Sequence, residues 1–128
     1  MDSSTILVLE DSREVRDLVT EILDDDGFRV TACGDADEAR AWLCGHRPDL
    51  VVLDARLPHT SGMQFFRELR ASRRHATLPV VFLTAAEKDV RQAIDVEDED
   101  CVDLVTKPFD IDAFRAAVER LIADPACE

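Results

Sequence analysis

The chain has 128 residues, 46% of them hydrophobic, which gives room for one packed core and excludes intrinsic disorder. Its formal charge of -13 argues against direct nucleic-acid binding, because the backbone phosphates would be repelled. No apolar run approaches the roughly 20 residues needed to span a bilayer.

Met1 to Thr5 is short and polar, without the basic and apolar regions of a leader, so a cytoplasmic protein with no membrane contact is expected. Ile6 to Leu9 then forms an apolar run that predicts a strand. Val15, Leu18, Val19, Ile22 and Leu23 follow with helical spacing, and Gly27 marks a stop. Phe28 to Cys33 alternates through Arg29 and Thr31, as in a strand near a sheet edge. Ala39, Trp42 and Leu43 mark a second helix ending near Gly45 and Pro48.

Leu50 to Leu53 is a third strand, and Met63, Phe66 and Leu69 form a third helix after Ser61, with Gln64 placed for a capping box. Val80 to Leu83 predicts a fourth strand, and Val90, Ala93 and Ile94 a weaker helix. Val102 to Val105 is the fifth strand, and Asp110 is placed to cap a last helix carrying Ile111, Phe114, Val118, Leu121 and Ile122. Strict alternation of strand and helix predicts a doubly wound parallel sheet with helices on both faces, in one domain over residues 1–128 with a core over about 5–123.

Chemistry-bearing residues follow four of the strands: Glu10 and Asp11, Asp54, Thr84, and Lys107. In an open parallel sheet these positions meet outside the carboxyl edge. Such a set suits metal-assisted phosphoryl transfer, with an oxygen nucleophile, carboxylates for a hard cation, and donors for phosphoryl oxygens. Each residue also has a plainer role. Asp11 with Glu14, and Thr84 with Glu87, could cap helices, while Asp54 and Lys107 could be turn residues, the latter before Pro108. Joint placement on one edge favours the site.

With those residues in view, the chain resembles a response-regulator receiver domain, the phosphoacceptor module of two-component signalling. The matching stretches are ILVLED (Ile6 to Asp11), VVLDARLPHTSG (Val51 to Gly62), VVFLTA (Val80 to Ala85) and TKPF (Thr106 to Phe109). The resemblance implies a flavodoxin-like five-stranded sheet in the order 2-1-3-4-5. It implies that Asp54 takes a phosphoryl group from a phosphohistidine of a sensor histidine kinase or histidine phosphotransfer protein.

Glu10, Asp11, Asp54 and the Arg56 backbone carbonyl would hold Mg²⁺ or Mn²⁺. Lys107, Thr84 and the Ala85 backbone would meet the phosphoryl oxygens, and the Lys107–Pro108 bond would be cis. Pro58 and Gly62 match the loop after the acceptor. The new charge would shift the face formed by the fourth helix, fifth strand and fifth helix, which a downstream protein reads. The implied protein is a monomer or a weak, phosphorylation-dependent dimer. It is no conventional enzyme, although it would catalyse its own phosphorylation and dephosphorylation.

Departures from the family pattern carry their own expectations. Leu104 stands where the family has a switching Tyr or Phe, which leaves Thr84 and backbone movement to carry the switch. The acidic stretch from Asp95 to Asp100, with Asp103, reads as a solvated helix end, or as a docking surface for a basic partner through Glu97 to Asp100. Arg56 and Ala86 sit where the family tunes hydrolysis, so Arg56→Ala is expected to change the phosphorylated lifetime. Arg67, Arg70 and Arg74 read as a solvated helix face, and His46, His59 and His75 as surface residues. Cys33, Cys44, Cys101 and Cys127 lack CxxC spacing and read as reduced thiols.

Competing functions fit less well. A magnesium-dependent aspartyl phosphatase would carry D-x-D after the first strand, where Glu10-Asp11-Ser12 stands. A flavodoxin-like nucleotide binder needs a phosphate loop at the same place, and two acids would repel phosphate. The remaining alternative is a receiver-like interaction module that is never phosphorylated, whose usual mark is loss of the acids or lysine kept here. The chain reads as a stand-alone regulator or the excised receiver of a larger protein.

Overall fold

The computed structural model describes residues 4–57, 59–96 and 99–127, so Pro58, Glu97 and Asp98 lie outside the described residues. The strands are β1 (Thr5–Leu9), β2 (Arg29–Cys33), β3 (Leu50–Leu53), β4 (Val80–Thr84) and β5 (Val102–Thr106). They form one parallel sheet in the order β2-β1-β3-β4-β5. The helices are α1 (Arg13–Asp25), α2 (Ala36–Leu43), α3 (Gly62–Ala71), α4 (Glu87–Ala93) and α5 (Ile111–Ala123).

The two-residue period of the strands divides the core between the faces of the sheet. Ile6, Val8, Leu50, Val52, Val81 and Leu83 pack with Val19 and Leu23 of α1 and Phe114 and Val118 of α5. Leu7, Leu9, Val51, Leu53, Val80 and Phe82 face the other way, onto Ala39 of α2, Phe66 of α3 and Val90 of α4. Inner strands covered on both sides must be apolar at every position, and β1, β3 and β4 are buried almost throughout. The β2 strand lies at an edge and keeps its exposed Arg29.

Local chemistry sets the helix starts. Asp35, Ser61 and Asp110 accept the backbone N–H bonds of Glu38, Gln64 and Asp112 at the starts of α2, α3 and α5. Gly27 ends the turn after α1 with φ 91°, a left-handed conformation that glycine adopts without steric cost.

Three sequence expectations change. Cys101 and Cys127 form a disulfide with Cα atoms 5.5 Å apart, because the segment after α5 folds back onto the start of β5; Cys33 and Cys44 are free. His75 is buried, because the 3-10 turn Arg73–His75 tucks its ring inward. Arg70 leaves the solvated stripe. Its guanidinium donates to the carbonyls of His75, Leu78, Asp100 and Cys101 and lies 4.8 Å from the Phe66 ring centre.

Candidate functional site

The strand order reverses between β1 and β3, and the sheet's own hydrogen bonds align the ends of the strands there. Asp54 N–H donates to Leu9 O at 3.1 Å, Glu10 N–H to Cys33 O at 3.1 Å, and Lys107 N–H to Thr84 O at 3.0 Å. The backbone thus carries Glu10, Asp54, Thr84 and Lys107 to one edge. Carboxylate oxygens of Glu10, Asp11 and Asp54 all lie within 4.8 Å of one another.

Both carboxylate oxygens of Asp54 are engaged. Its Oδ1 accepts from the Thr84 hydroxyl at 2.8 Å and from Arg56 N–H at 3.0 Å, and its Oδ2 accepts from Lys107 Nζ at 3.0 Å. Lys107 Nζ also donates to Glu10 Oε1, while Glu10 Oε2 accepts from Ser12 N–H at 2.9 Å. The Lys107–Pro108 peptide is cis. Asp54 is nearly buried, with 8% of its side chain exposed, and Asp11 lies exposed at the mouth.

The capping roles open to Asp11 and Thr84 go elsewhere. Ser12 caps α1 by accepting from Val15 N–H, so the Asp11 carboxylate stays at the mouth. Ala86 starts α4 without a side-chain cap, and the Thr84 hydroxyl accepts from Ala86 N–H at 2.9 Å while donating to Asp54. Thr84 therefore links the buried carboxylate to the loop that enters α4.

Two contributors were missed in the sequence. Ser12 holds Glu10, and Arg16 Nη1 donates to Glu10 O at 3.0 Å. The Ser-x-x-Val start of a helix could have indicated Ser12, but no spacing rule aims Arg16 at a carbonyl six residues back. Ala85 is exposed beside Thr84. Arg56 turns outward, its guanidinium 3.4 Å from Asp89 in an exposed pair that ties the loop after β3 to α4. Leu104 is half-buried on β5 against the core.

Burial pushes the Glu10 carboxyl above its ordinary value, against the opposing pull of its bonds to Lys107 and Ser12. Burial also disfavours the Lys107 charge, but its bonds to Glu10 and Asp54 prevail and raise its pKa. With all four groups ionised, three carboxylates and one ammonium leave a surplus of two negative charges. The donors are all oxygen and closely spaced, which fits a hard divalent cation such as Mg²⁺ and does not fit a soft metal.

The chain belongs to the response regulator receiver domain family, whose model matches residues 6–119. It is 38% identical to response regulator Rre1 of Synechocystis over 93% of this chain and 52% of that protein. It is 36% identical to the virulence transcriptional regulatory protein PhoP of Salmonella typhimurium over 91% of this chain and 51% of that one. The chain thus spans about half the length of these curated relatives.

Among solved structures, it is similar to the receiver domain of a signal transduction histidine kinase from Syntrophus aciditrophicus. The TM-score is 0.82 at 27% identity, over 94% of this chain and 91% of that one. The receiver domain of sensor histidine kinase PA1611 from Pseudomonas aeruginosa gives 0.83 at 25% identity, over 96% of this chain and all of that one. That structure holds a magnesium ion coordinated in its active-site cleft. Receiver domains work with histidine kinases and downstream effectors in two-component systems, and bind Mg²⁺ at an acidic pocket. Among the described residues, no helix is long and apolar enough to cross a membrane.

Proposed function

We propose that Asp54 is the phosphoacceptor of a two-component or phosphorelay system. The observation that carries this reading is the bridging of Asp54 by Lys107 and Thr84, within 4.8 Å of two further carboxylates. An Asp54 oxygen forms the new P–O bond while the P–N bond of a phosphohistidine breaks, and the donor imidazole keeps the electron pair and takes up a proton. Nothing in the chain need act as a separate nucleophile, so this is autocatalytic acceptance and not conventional enzyme turnover.

Glu10, Asp11, Asp54 and the Arg56 carbonyl would hold Mg²⁺, or Mn²⁺ in its place. When bound, the cation supplies positive charge against the repulsion between carboxylates and phosphoryl oxygens. Lys107 turns from pairing two carboxylates to pairing a phosphoryl oxygen, and the Ala85 N–H offers a further donor. The modification adds about -1.5 to -2 charge at a nearly buried carboxylate. Thr84 then exchanges its bond to Asp54 for one to the phosphoryl group, and its bond from Ala86 N–H carries that movement into α4.

Because Leu104 has no ring to swing inward, the change passes through Thr84 and the α4 entry alone to the α4-β5-α5 face. A downstream protein reads that face, and the protein works in the cytoplasm as a monomer or weak phosphorylation-dependent dimer. Incubation with acetyl phosphate, with and without Mg²⁺, tests the reading by intact mass. One added phosphoryl group is expected only with Mg²⁺ and only while Asp54 is present. Equal labelling of Asp54→Asn, or none in the parent, overturns it.

A further inference from the structure

We propose that Cys101 and Cys127 form a redox-modification site, a thiol pair that closes by exchange with a disulfide of the glutathione class and tethers the segment after α5 to the start of β5. The inference stands apart from the phosphoacceptor reading. Two local features built into the chain bring the sulfurs together. Asp124-Pro125-Ala126-Cys127 is a turn in which Cys127 N–H donates to Asp124 O at 3.1 Å and Ala126 N–H to Asp124 Oδ1 at 3.0 Å. Asp in the first place and Pro in the second are the residues such a turn favours, so the fold-back is encoded locally.

Cys101 meets that turn from a left-handed conformation, φ 63°, which an L side chain adopts at a cost. Its carbonyl accepts from Val80 N–H at 2.9 Å and from Arg70 Nη2 at 3.4 Å, at the first rung between β4 and β5. Cys101 also lines a cleft of about 370 Å³ with Leu104, Asp103 and Arg120. The tether therefore acts on the same face as β5 and α5, where Arg120 bonds Asp103 at 2.9 Å.

In the exchange, the Cys127 thiolate attacks one sulfur of glutathione disulfide and releases a glutathione thiolate. The Cys101 thiolate then displaces the second glutathione from the mixed disulfide. The two cysteines give up two electrons and two protons, and both electrons leave in the glutathione thiols. Cys101 and Cys127 are themselves buried when joined, so the exchange proceeds with the segment after α5 lifted off β5; of the remaining cysteines, Cys44 is exposed, and Cys33 lies in the core against the sheet, where burial pushes it up to about 11.

The test uses the full chain carrying Cys44→Ser, reduced, freed of reductant and exposed to oxidised glutathione. After acid quenching, denaturation and alkylation, the expected product carries one alkyl group, on Cys33, and yields a proteolytic peptide joining residues 101 and 127. Its thermal midpoint should lie about 10 °C above that of the reduced form, from the shortened unfolded loop. With Cys127→Ser added, a change outside every helix and strand, the oxidation-dependent shift should vanish. Alkylation of Cys101 and Cys127 after oxidation, accumulation of glutathione adducts alone, or a midpoint shift that survives Cys127→Ser would each overturn the proposal.

Discussion

Gly62 lies so close to the backbone of Asp54 that a Cβ on it would sit 2.0 Å from the Asp54 carbonyl oxygen. Its N–H also donates to Ala55 O at 2.8 Å, so the first turn of α3 is held against the backbone that carries the acceptor. The loop between them must bend sharply, and only a residue without a side chain permits that approach. Gly62→Ala should therefore destabilise the fold by about 3 kcal/mol and slow phosphorylation of Asp54 together. Urea unfolding and acetyl phosphate labelling check both; a stable variant labelled at the parental rate would contradict this account.

Lys107 is the only cation bonded to the carboxylates of Glu10 and Asp54 among the described residues. Replacing it by methionine leaves two buried carboxylates uncompensated, which typically costs about 3 kcal/mol. Mg²⁺ should restore part of that loss, because it replaces the missing charge. Thermal midpoints of Lys107→Met with and without Mg²⁺ should differ more than those of the parent. A smaller Mg²⁺ effect in the variant would show that the acids do not share the ion.

The same lysine sets an alkaline limit. Its folded pKa lies above the ordinary 10.5, so its pairing stabilises the fold fully below 10.5 and the contribution is lost as pH rises through the folded value. Denaturant midpoints should fall in that alkaline window for the parent and fall less for Lys107→Met. Identical slopes would locate the loss elsewhere.

Thr84 satisfies two partners with one hydroxyl. Thr84→Ser keeps both bonds and should retain the response to phosphorylation, whereas Thr84→Ala leaves the buried Ala86 N–H unpaired and should cost about 1–3 kcal/mol. Backbone NMR spectra with and without beryllofluoride separate the two. Shifts reaching α4 in Thr84→Ala as widely as in the parent would remove Thr84 from the switch.

His75 carries an acid-side prediction. Burial, then the charges of Arg74 and Arg47, lower its pKa below 6.5, and among the described residues its Nε2 has no partner. The folded state thus disfavours the imidazolium, so stability falls as pH drops below 6.5. His75→Phe should flatten that part of the profile, as read by urea midpoints at about pH 7.5 and about pH 5.5. An unaltered profile would assign the loss to other groups.

Much of the architecture was legible because it rests on local rules. Apolar runs of β1, β3 and β4, the alternation of β2, and Ser61 and Asp110 before their helices each follow from burial or capping. The acids, Thr84 and Lys107 were legible as candidates, since each follows an apolar run. Local rules could not decide between caps and site for Asp11 and Thr84. Ser12 and Ala86 settled that by occupying the helix starts.

The order of elements, the two apolar faces of the sheet and the residue types at its carboxyl edge can be read along the chain, because periodicity and turn chemistry act over a few positions. Folding in three dimensions brings Thr84 to Asp54, takes Arg70 and His75 out of solvent, and joins Cys101 to Cys127. Those outcomes depend on groups from about 5 to 31 residues apart being brought together by strand register and chain reversal, which no local spacing encodes.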